Sequence, residues 1–230
     1  MGAVEGGPNV VYNGLVLYLD AANNKSYVSG STSWLDLTPN QSNSGSLTNG
    51  PTFNTGSGGN IVFDGTNDYI DFYASNLGTT TTVELWAKLG AGYSGTMVFG
   101  FWIYDVWTYN STLGFNTGNG DVYGISSATV SSLGLVNNWK HYVFEMRSDV
   151  SYTNNKIYIN SVSQTLSQQI GSEAAGNRHF NSGNGRLPGW RYTTGYLMNI
   201  SVASFKIYNR ALTSTEITQN YNALKGRFGL

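Results

Sequence analysis

Residues 196–225, YLMNISVASFKIYNRALTSTEITQNYNALK, hold a strand, a joint and one short helix, and they constrain what the rest of the chain can be. Tyr196, Met198, Ile200 and Val202 alternate with Leu197, Asn199, Ser201 and Ala203, the period of a half-buried strand. After Val202 the apolar set changes parity, to Phe205 and Ile207. One extra residue near Ala203 and Ser204 does this, so a bulge or bend is predicted there. The period then lengthens to that of a helix. Thr213 and Glu216 have the Thr-x-x-Glu spacing of a capping box. Leu212 before the cap can staple onto Ile217, and Ile217, Tyr221 and Leu224 fall on one stripe. Lys225 lies at the negative end of the dipole and Gly226 is the predicted stop. No other stretch is convincingly helical. A lone short helix behind a strand needs a preformed sheet to dock on, so the remainder is predicted to be sheet.

Composition agrees. The 230 residues include 29 Gly and many Ser, Thr and Asn, which supply turns at little steric cost. Only 11% are charged and the formal net charge is −1, which leaves no electrostatic footprint for nucleic acid or an anionic membrane. Cysteine is absent, so disulfides and thiolate metal sites are excluded. No run reaches the apolar length of a membrane span, and the first residues carry no signal-peptide pattern.

Taken in order, residues 1–12 read as a flexible arm and residues 13–230 as one domain. Residues 15–19 form a nearly continuous apolar strand, expected to be covered on both sides. Residues 20–60 are mostly loop, anchored by Trp34, Leu35 and Leu37. IVFDGTNDYIDF (61–72) reads as strand, tight turn, strand. In TTVELWAKL (81–89), Val83, Leu85 and Ala87 oppose Glu84, Trp86 and Lys88. Residues 96–110 form a long aromatic strand or hairpin, and another strand pair flanks Gly118-Asn119-Gly120. NNWKHYVFEMR (137–147) alternates again, and residues 155–167 form a hairpin turning at Asn160-Ser161. Residues 171–195 read as a long loop of Gly, Asn and Arg. Many short strands spaced by turns argue for one β-sandwich.

GLVLYLDA (14–21), FDGTNDYI (63–70), TTVELWAKL (81–89), NNWKHYVF (137–144), KIYINSV (156–162) and IYNRALTSTEI (207–217) together resemble the laminin-G-like, concanavalin A-like lectin/glucanase superfamily. The resemblance spans nearly the whole chain. It implies an all-β jelly-roll sandwich of two antiparallel sheets with one short C-terminal helix. GLVLYLDAANNKSY, LTNGPTFN and NYNALKGRFGL are also similar to versions found in virion proteins of tailed marine phages and cyanophages. That likeness implies a non-enzymatic virion surface protein, such as a capsid decoration, fibre or tail appendage. It would be made in the host cytoplasm. Its partners would be other virion proteins, host-surface glycan or both, and an oligomer is compatible with this. A glycan-binding bacterial adhesion module is the alternative, and a glycoside hydrolase a third reading.

Glycosidases need two carboxylates flanking the scissile bond. Glu84 stands alone on its strand, and Glu145 with Asp149 has the wrong spacing, so no catalytic residue is assigned. His141 reads as a packed core histidine. Relatives often bind calcium through loop carboxylates, which makes Asp20, Asp64 and Asp68 calcium candidates, with Asn67, Asp71 and Asp121 behind them; turn capping is the competing use of all six. No other cofactor is expected. Along 99–109, Phe99, Phe101, Ile103 and Trp107 cannot share a face with Trp102, Tyr104 and Val106 unless the strand bends. Trp102, Tyr104 and Trp107 are therefore candidate contact residues. RHFNSGNGRLPGWRY (178–192) adds Arg178, His179, Arg186, Trp190, Arg191 and Tyr192. Arg and Trp dominate binding surfaces, and a long loop without its own period is often functional. The loop is expected to meet an acidic glycan or an acidic subunit surface, or else to plug the sandwich edge with Trp190.

Overall fold

The computed structural model describes residues 8–41, 43–174, 178–180 and 183–230. Among these, the strands are β1 (Leu15–Asp20), β2 (Ser33–Trp34), β3 (Gly45–Thr48), β4 (Thr52–Asn54), β5 (Asn60–Asp64), β6 (Tyr69–Tyr73), β7 (Thr80–Leu89), β8 (Met97–Gly100), β9 (Asp105–Trp107), β10 (Leu113–Asn116), β11 (Val122–Ile125), β12 (Trp139–Arg147), β13 (Lys156–Ile159), β14 (Val162–Ser163), β15 (Ser167–Ile170), β16 (Asn184–Leu187) and β17 (Asn199–Tyr208). Two helices join them, α1 (Ser127–Ser132) and α2 (Ser214–Leu224).

The strands form two sheets packed face to face. One has eight strands in the order β14-β13-β12-β7-β17-β5-β4, with β1 also on β17; the other has nine, β15-β11-β10-β9-β8-β16-β6-β3-β2. Every strand pairing is antiparallel. The long strand β17 organises the first sheet. Its start pairs with β5, its end with β1, and its other edge with β7. The register slips between Val202 and Ser204, which is the bulge the parity change predicts. Alternate residues then point inward. Phe72 meets Phe205 at 5.0 Å between ring centroids, and Phe99 meets Phe144 at 5.6 Å, each contact bridging the two sheets.

The 61–72 segment is strand, turn, strand as its sequence reads; β5 and β6 lie in different sheets, so the Asp64-Gly65 turn crosses the sandwich edge. Other sequence readings are revised. Residues 20–60 contain three short strands, and of their three expected anchors Trp34 alone is fully buried; Leu35 is exposed. The helix α1 lacks an apolar stripe; Ser126 caps it. Residues 171–195 are not one loop, because β16 runs through the nine-stranded sheet between β8 and β6.

Helix α2 docks on the outer face of the eight-stranded sheet. Its capping box is complete: the Thr213 hydroxyl accepts from the Glu216 N–H at 3.2 Å and Glu216 accepts from the Thr213 N–H at 2.9 Å. Leu212 and Ile217 share one buried cluster. The most deeply buried position on the helix, with Ile217, is Asn220 rather than Leu224. The helix runs on into a 3-10 turn, Lys225–Phe228, and the left-handed glycine that ends it is Gly229 (φ 70°), not Gly226.

Under this cover Glu84 is not alone. Lys206 Nζ donates to its Oε1 at 2.7 Å, Asn220 Nδ2 donates to its Oε2 at 2.6 Å, and His141 Nε2 lies 3.3 Å from Oε1. All four residues are fully buried. Burial alone would raise the Glu84 carboxyl; Lys206 and His141 overcome it and hold the group below the usual carboxylate range. Asn220 Oδ1 accepts the Val11 N–H at 2.7 Å and Gln219 donates to the Asn9 carbonyl at 2.7 Å. Residues 9–11 are thus pinned beneath α2, although the arm was expected to be free through residue 12. Residues 1–7 of that arm lie outside the described residues.

Candidate functional site

Alternation in the nine-stranded sheet puts Val106, Phe115 and Leu187 in the core. Their neighbours Asp105, Trp107, Asn116 and Arg186 therefore face outward. Residues 188–196 fold back over this outer face. The result is a pocket of about 190 Å³ with Trp107, Trp190 and Tyr196 among its walls and Asp105 and Asn116 in its lining. Met97, Ile103, Gly118 and Gly120 complete it. Gly100 makes room beneath: a Cβ there would lie 2.9 Å from the Asp105 Cβ.

The aromatic walls support one another. Trp107 stacks on Tyr109 at 4.7 Å and meets Tyr196 edge-on at 6.0 Å. Trp190 donates its indole N–H to the Trp102 carbonyl at 2.6 Å, and Tyr192 contacts both Trp102 and Trp190. The Trp107 indole nitrogen has no hydrogen-bond partner among the described residues. In the lining, Asn116 Nδ2 donates to both oxygens of Asp105, at 3.2 and 3.1 Å. Burial pushes the Asp105 carboxyl up to about 8, against the Asn116 hydrogen bonds and with a contribution from Asp121. At neutral pH the pocket therefore holds a neutral acid, which does not repel an anion.

Beside the pocket, Arg186 makes a bidentate pair with Asp71 (2.8 and 3.1 Å), donates to the Thr193 carbonyl at 2.8 Å and lies 3.6 Å over the Tyr69 ring. Arg186 is itself buried. Arg191 shares Asp71 at 3.3 Å and keeps a third of its side chain exposed, with its Nε unpartnered. Two cations against one carboxylate leave a local surplus of one positive charge, carried by the looser side chain, Arg191.

The structure gathers Trp102, Trp107, Trp190, Arg186, Arg191 and Tyr192 on or beside this face. It does not bring Tyr104 there. Tyr104 is fully buried because residues 101–104 form the turn between β8 and β9 and reverse its parity; its ring stacks on Phe180 and its hydroxyl donates to the Arg147 carbonyl. Arg178 pairs with Glu173 and shares no partner with Trp190, and His179 is half-buried next to Phe180. Arg186 belongs to a strand and its Asp71 pair, not to a free loop. Of the calcium candidates, Asp20 is held by Arg227 at 3.0 and 2.9 Å, Asp64 accepts the Thr66 N–H at 2.7 Å, and Asp68 accepts the Asp64 N–H at 3.2 Å. Asp121 accepts from Thr117, and no cluster of three or more metal-ligating side chains occurs among the described residues.

Asp105, Asn116 and Tyr196 were missed as site residues, and Asp71 was considered for calcium alone. Asp105 and Trp107 flank Val106, so alternation alone places them on one face. Tyr196 sits at φ 63° ahead of β17, outside the strand pattern to which its alternation assigned it.

No curated protein sequence matches the chain. Solved structures do. The Trypanosoma rangeli sialidase in complex with sialic acid aligns at TM-score 0.66 and 13% identity, over 99% of this chain and 36% of that one. The botulinum neurotoxin serotype D ligand binding domain in complex with N-acetylneuraminic acid aligns at TM-score 0.60 and 12% identity, over 90% and 50%. The receptor binding domain of the botulinum neurotoxin C/D mosaic serotype aligns at 0.61 and 12%, over 90% and 51%. The chain spans about half the length of the toxin domains, and these likenesses establish the fold alone. The family profile Laminin_G_3, of the concanavalin A-like lectin/glucanases superfamily, matches residues 64–218, from the end of β5 into helix α2. Profile and sandwich agree over more than half of the 230 residues, and the chain belongs to that superfamily.

Proposed function

We propose that this chain is a non-enzymatic carbohydrate-binding module whose working face is the outer face of the nine-stranded sheet, beneath residues 188–196. The pocket walled by Trp107, Trp190 and Tyr196, with Asp105 and Asn116 in its lining, carries this reading. Aromatic rings take the apolar face of a sugar, and a few fixed polar groups set its orientation. Arg191 gives the site a cation for a carboxylate, so an acidic glycan such as a sialylated one is the expected class. Two structural neighbours were solved with sialic acid or N-acetylneuraminic acid, which is consistent with that choice. Hydrolysis is not expected, because Asp105 is the sole acidic residue lining the pocket among the described residues and Asn116 engages both its oxygens. Binding is expected to need no metal, since Asp20, Asp64 and Asp68 already serve protein donors.

The setting follows from the segments similar to phage virion proteins. Displayed on a virion surface, the module would hold neighbouring subunits through one surface and host glycan through this one. A glycan array tests the binding itself. The wild type should retain acidic glycans in the presence of a chelator, while Trp190→Ala and Arg191→Ala lose them. An array with no acidic hit, or hits indifferent to both substitutions, would end this reading.

A further inference from the structure

Helix α2 covers only part of its sheet. Next to it, a row of outward residues crosses four strands in register: Trp139 opposite Lys88, Lys88 opposite Ser201, and Ser201 opposite Val62. Three interstrand spacings of about 4.8 Å make this row ~14 Å long, longer than one sugar ring. Ser201 is the smallest side chain in the row and sits between two larger ones, so the sheet surface dips along it. The resulting trough holds about 410 Å³, within the range of ligand sites. Asn60, Asn137 and Asn199 add amides to its lining. Gly90 is required here: a Cβ on it would lie 2.5 Å from the Asn199 Oδ1. The C-terminal 3-10 turn supports two of the lining residues, with Phe228 packed 4.9 Å from the Trp139 ring and the Arg227 Nε donating to the Ser57 carbonyl at 3.2 Å.

The chemistry of the trough is one-sided. Among the described residues, Lys88 is the sole charged one lining it. Its ammonium stands 5.8 Å from the Trp139 ring centroid and has no carboxylate partner among the described residues. The side chains of Asn137, Asn199 and Ser201 likewise make no hydrogen bond to the described protein. Four polar side chains are therefore free along a groove bounded by an indole. A single cation is too little for a polyphosphate, and the scattered amides suit hydroxyl groups.

We propose that this trough is a second ligand site, on the sheet opposite the first, and that it takes a hexuronic-acid-containing carbohydrate. The carboxylate meets Lys88, a ring rests against Trp139, and ring hydroxyls meet Asn199 and Ser201. One chain would then engage glycan on both faces and crosslink glycan strands, with the avidity that two linked sites give.

The test is calorimetric titration of the full chain with a tetragalacturonate, and separately with the uncharged galactose tetramer. The wild type should bind the acidic probe the more tightly. Lys88→Met, which keeps the stem over Trp139, should weaken the acidic probe about tenfold and erase the preference between the two probes. Asn199→Ala should weaken both probes without moving the melting temperature. With Trp190→Ala disabling the site on the opposite face, the Lys88-dependent binding of tetragalacturonate should persist. No binding by the wild type, an affinity indifferent to Lys88→Met, or loss of the Lys88-dependent binding in the Trp190→Ala chain would each overturn the proposal.

Discussion

The two outer faces of the sandwich each carry a cation and a carboxylate on different strands, and they treat the pair in opposite ways. Under α2, Lys206 and Glu84 are fully buried, and Asn220 and His141 close the remaining positions around the carboxylate. Under residues 188–196, Arg186 is buried on Asp71, but Arg191 shares that carboxylate from a partly exposed position and stands beside an open pocket. The difference lies in the cover. A capped helix presents a continuous wall of side chains, here Ile217, Asn220 and Tyr221. The segment 188–196, with Gly189 at φ 104° and Gly195 within it, instead leaves a gap between its rings. The same kind of group is structural where the cover is complete and available for binding where it is not.

The largest expected effect is under α2. Lys206→Ala strands the Glu84 carboxylate in the core and should cost about 3–5 kcal/mol, read as a drop in the denaturant midpoint. A loss under about 1 kcal/mol would mean that water reaches the pair and that the face is not closed. Arg186→Ala should cost less, about 1–3 kcal/mol, because Arg191 still faces the partly exposed Asp71. Equal losses at the two positions would erase the contrast between the faces.

pH sharpens the comparison from another side. The Asp105 carboxyl titrates near 8 in the folded chain, after burial has raised it, and near 3.9 when unfolded. Between those values the folded state holds one more proton than the unfolded state, so this residue makes stability fall as pH rises from about 4 to 8. Asp105→Asn should remove that slope and leave the chain more stable than wild type above pH 8. Glu84, held low, acts the other way. Its contribution is complete above the unfolded value near 4.3 and declines only in strong acid. A stability profile flat from pH 4 to 9 in both wild type and Asp105→Asn would show that Asp105 is solvated.

The smallest stability effect is expected at the helix start, where Thr213→Ala should cost about 1 kcal/mol.

Much of the frame was legible because it is periodic. Two-residue alternation marks β7, β12 and β17, the parity change at Ala203 marks the bulge, and Thr213 with Glu216 marks the cap. What lacked a period was lost. β16 reads Asn-Gly-Arg-Leu, too short and too polar to signal a strand, and pairing with β6 makes it one. Tyr104 was misplaced because the turn before it uses up residues and resets the alternation. For the candidate site, residue type pointed to Trp190, Arg191 and Trp107. The Asp105–Asn116 contact arises from the register of β9 on β10, and the Glu84–Lys206 contact joins residues 122 apart in the chain; neither contact has a local trace.

Backbone-amide chemical-shift mapping during titration with a sialylated trisaccharide tests the binding face most directly. Perturbations should cluster on Trp107, Trp190, Arg191 and Tyr196 and leave Glu84, Asn220 and the amides of α2 unmoved. Perturbations confined to α2 and the eight-stranded sheet, or none at millimolar sugar, would contradict the assignment of the open face as the binding surface.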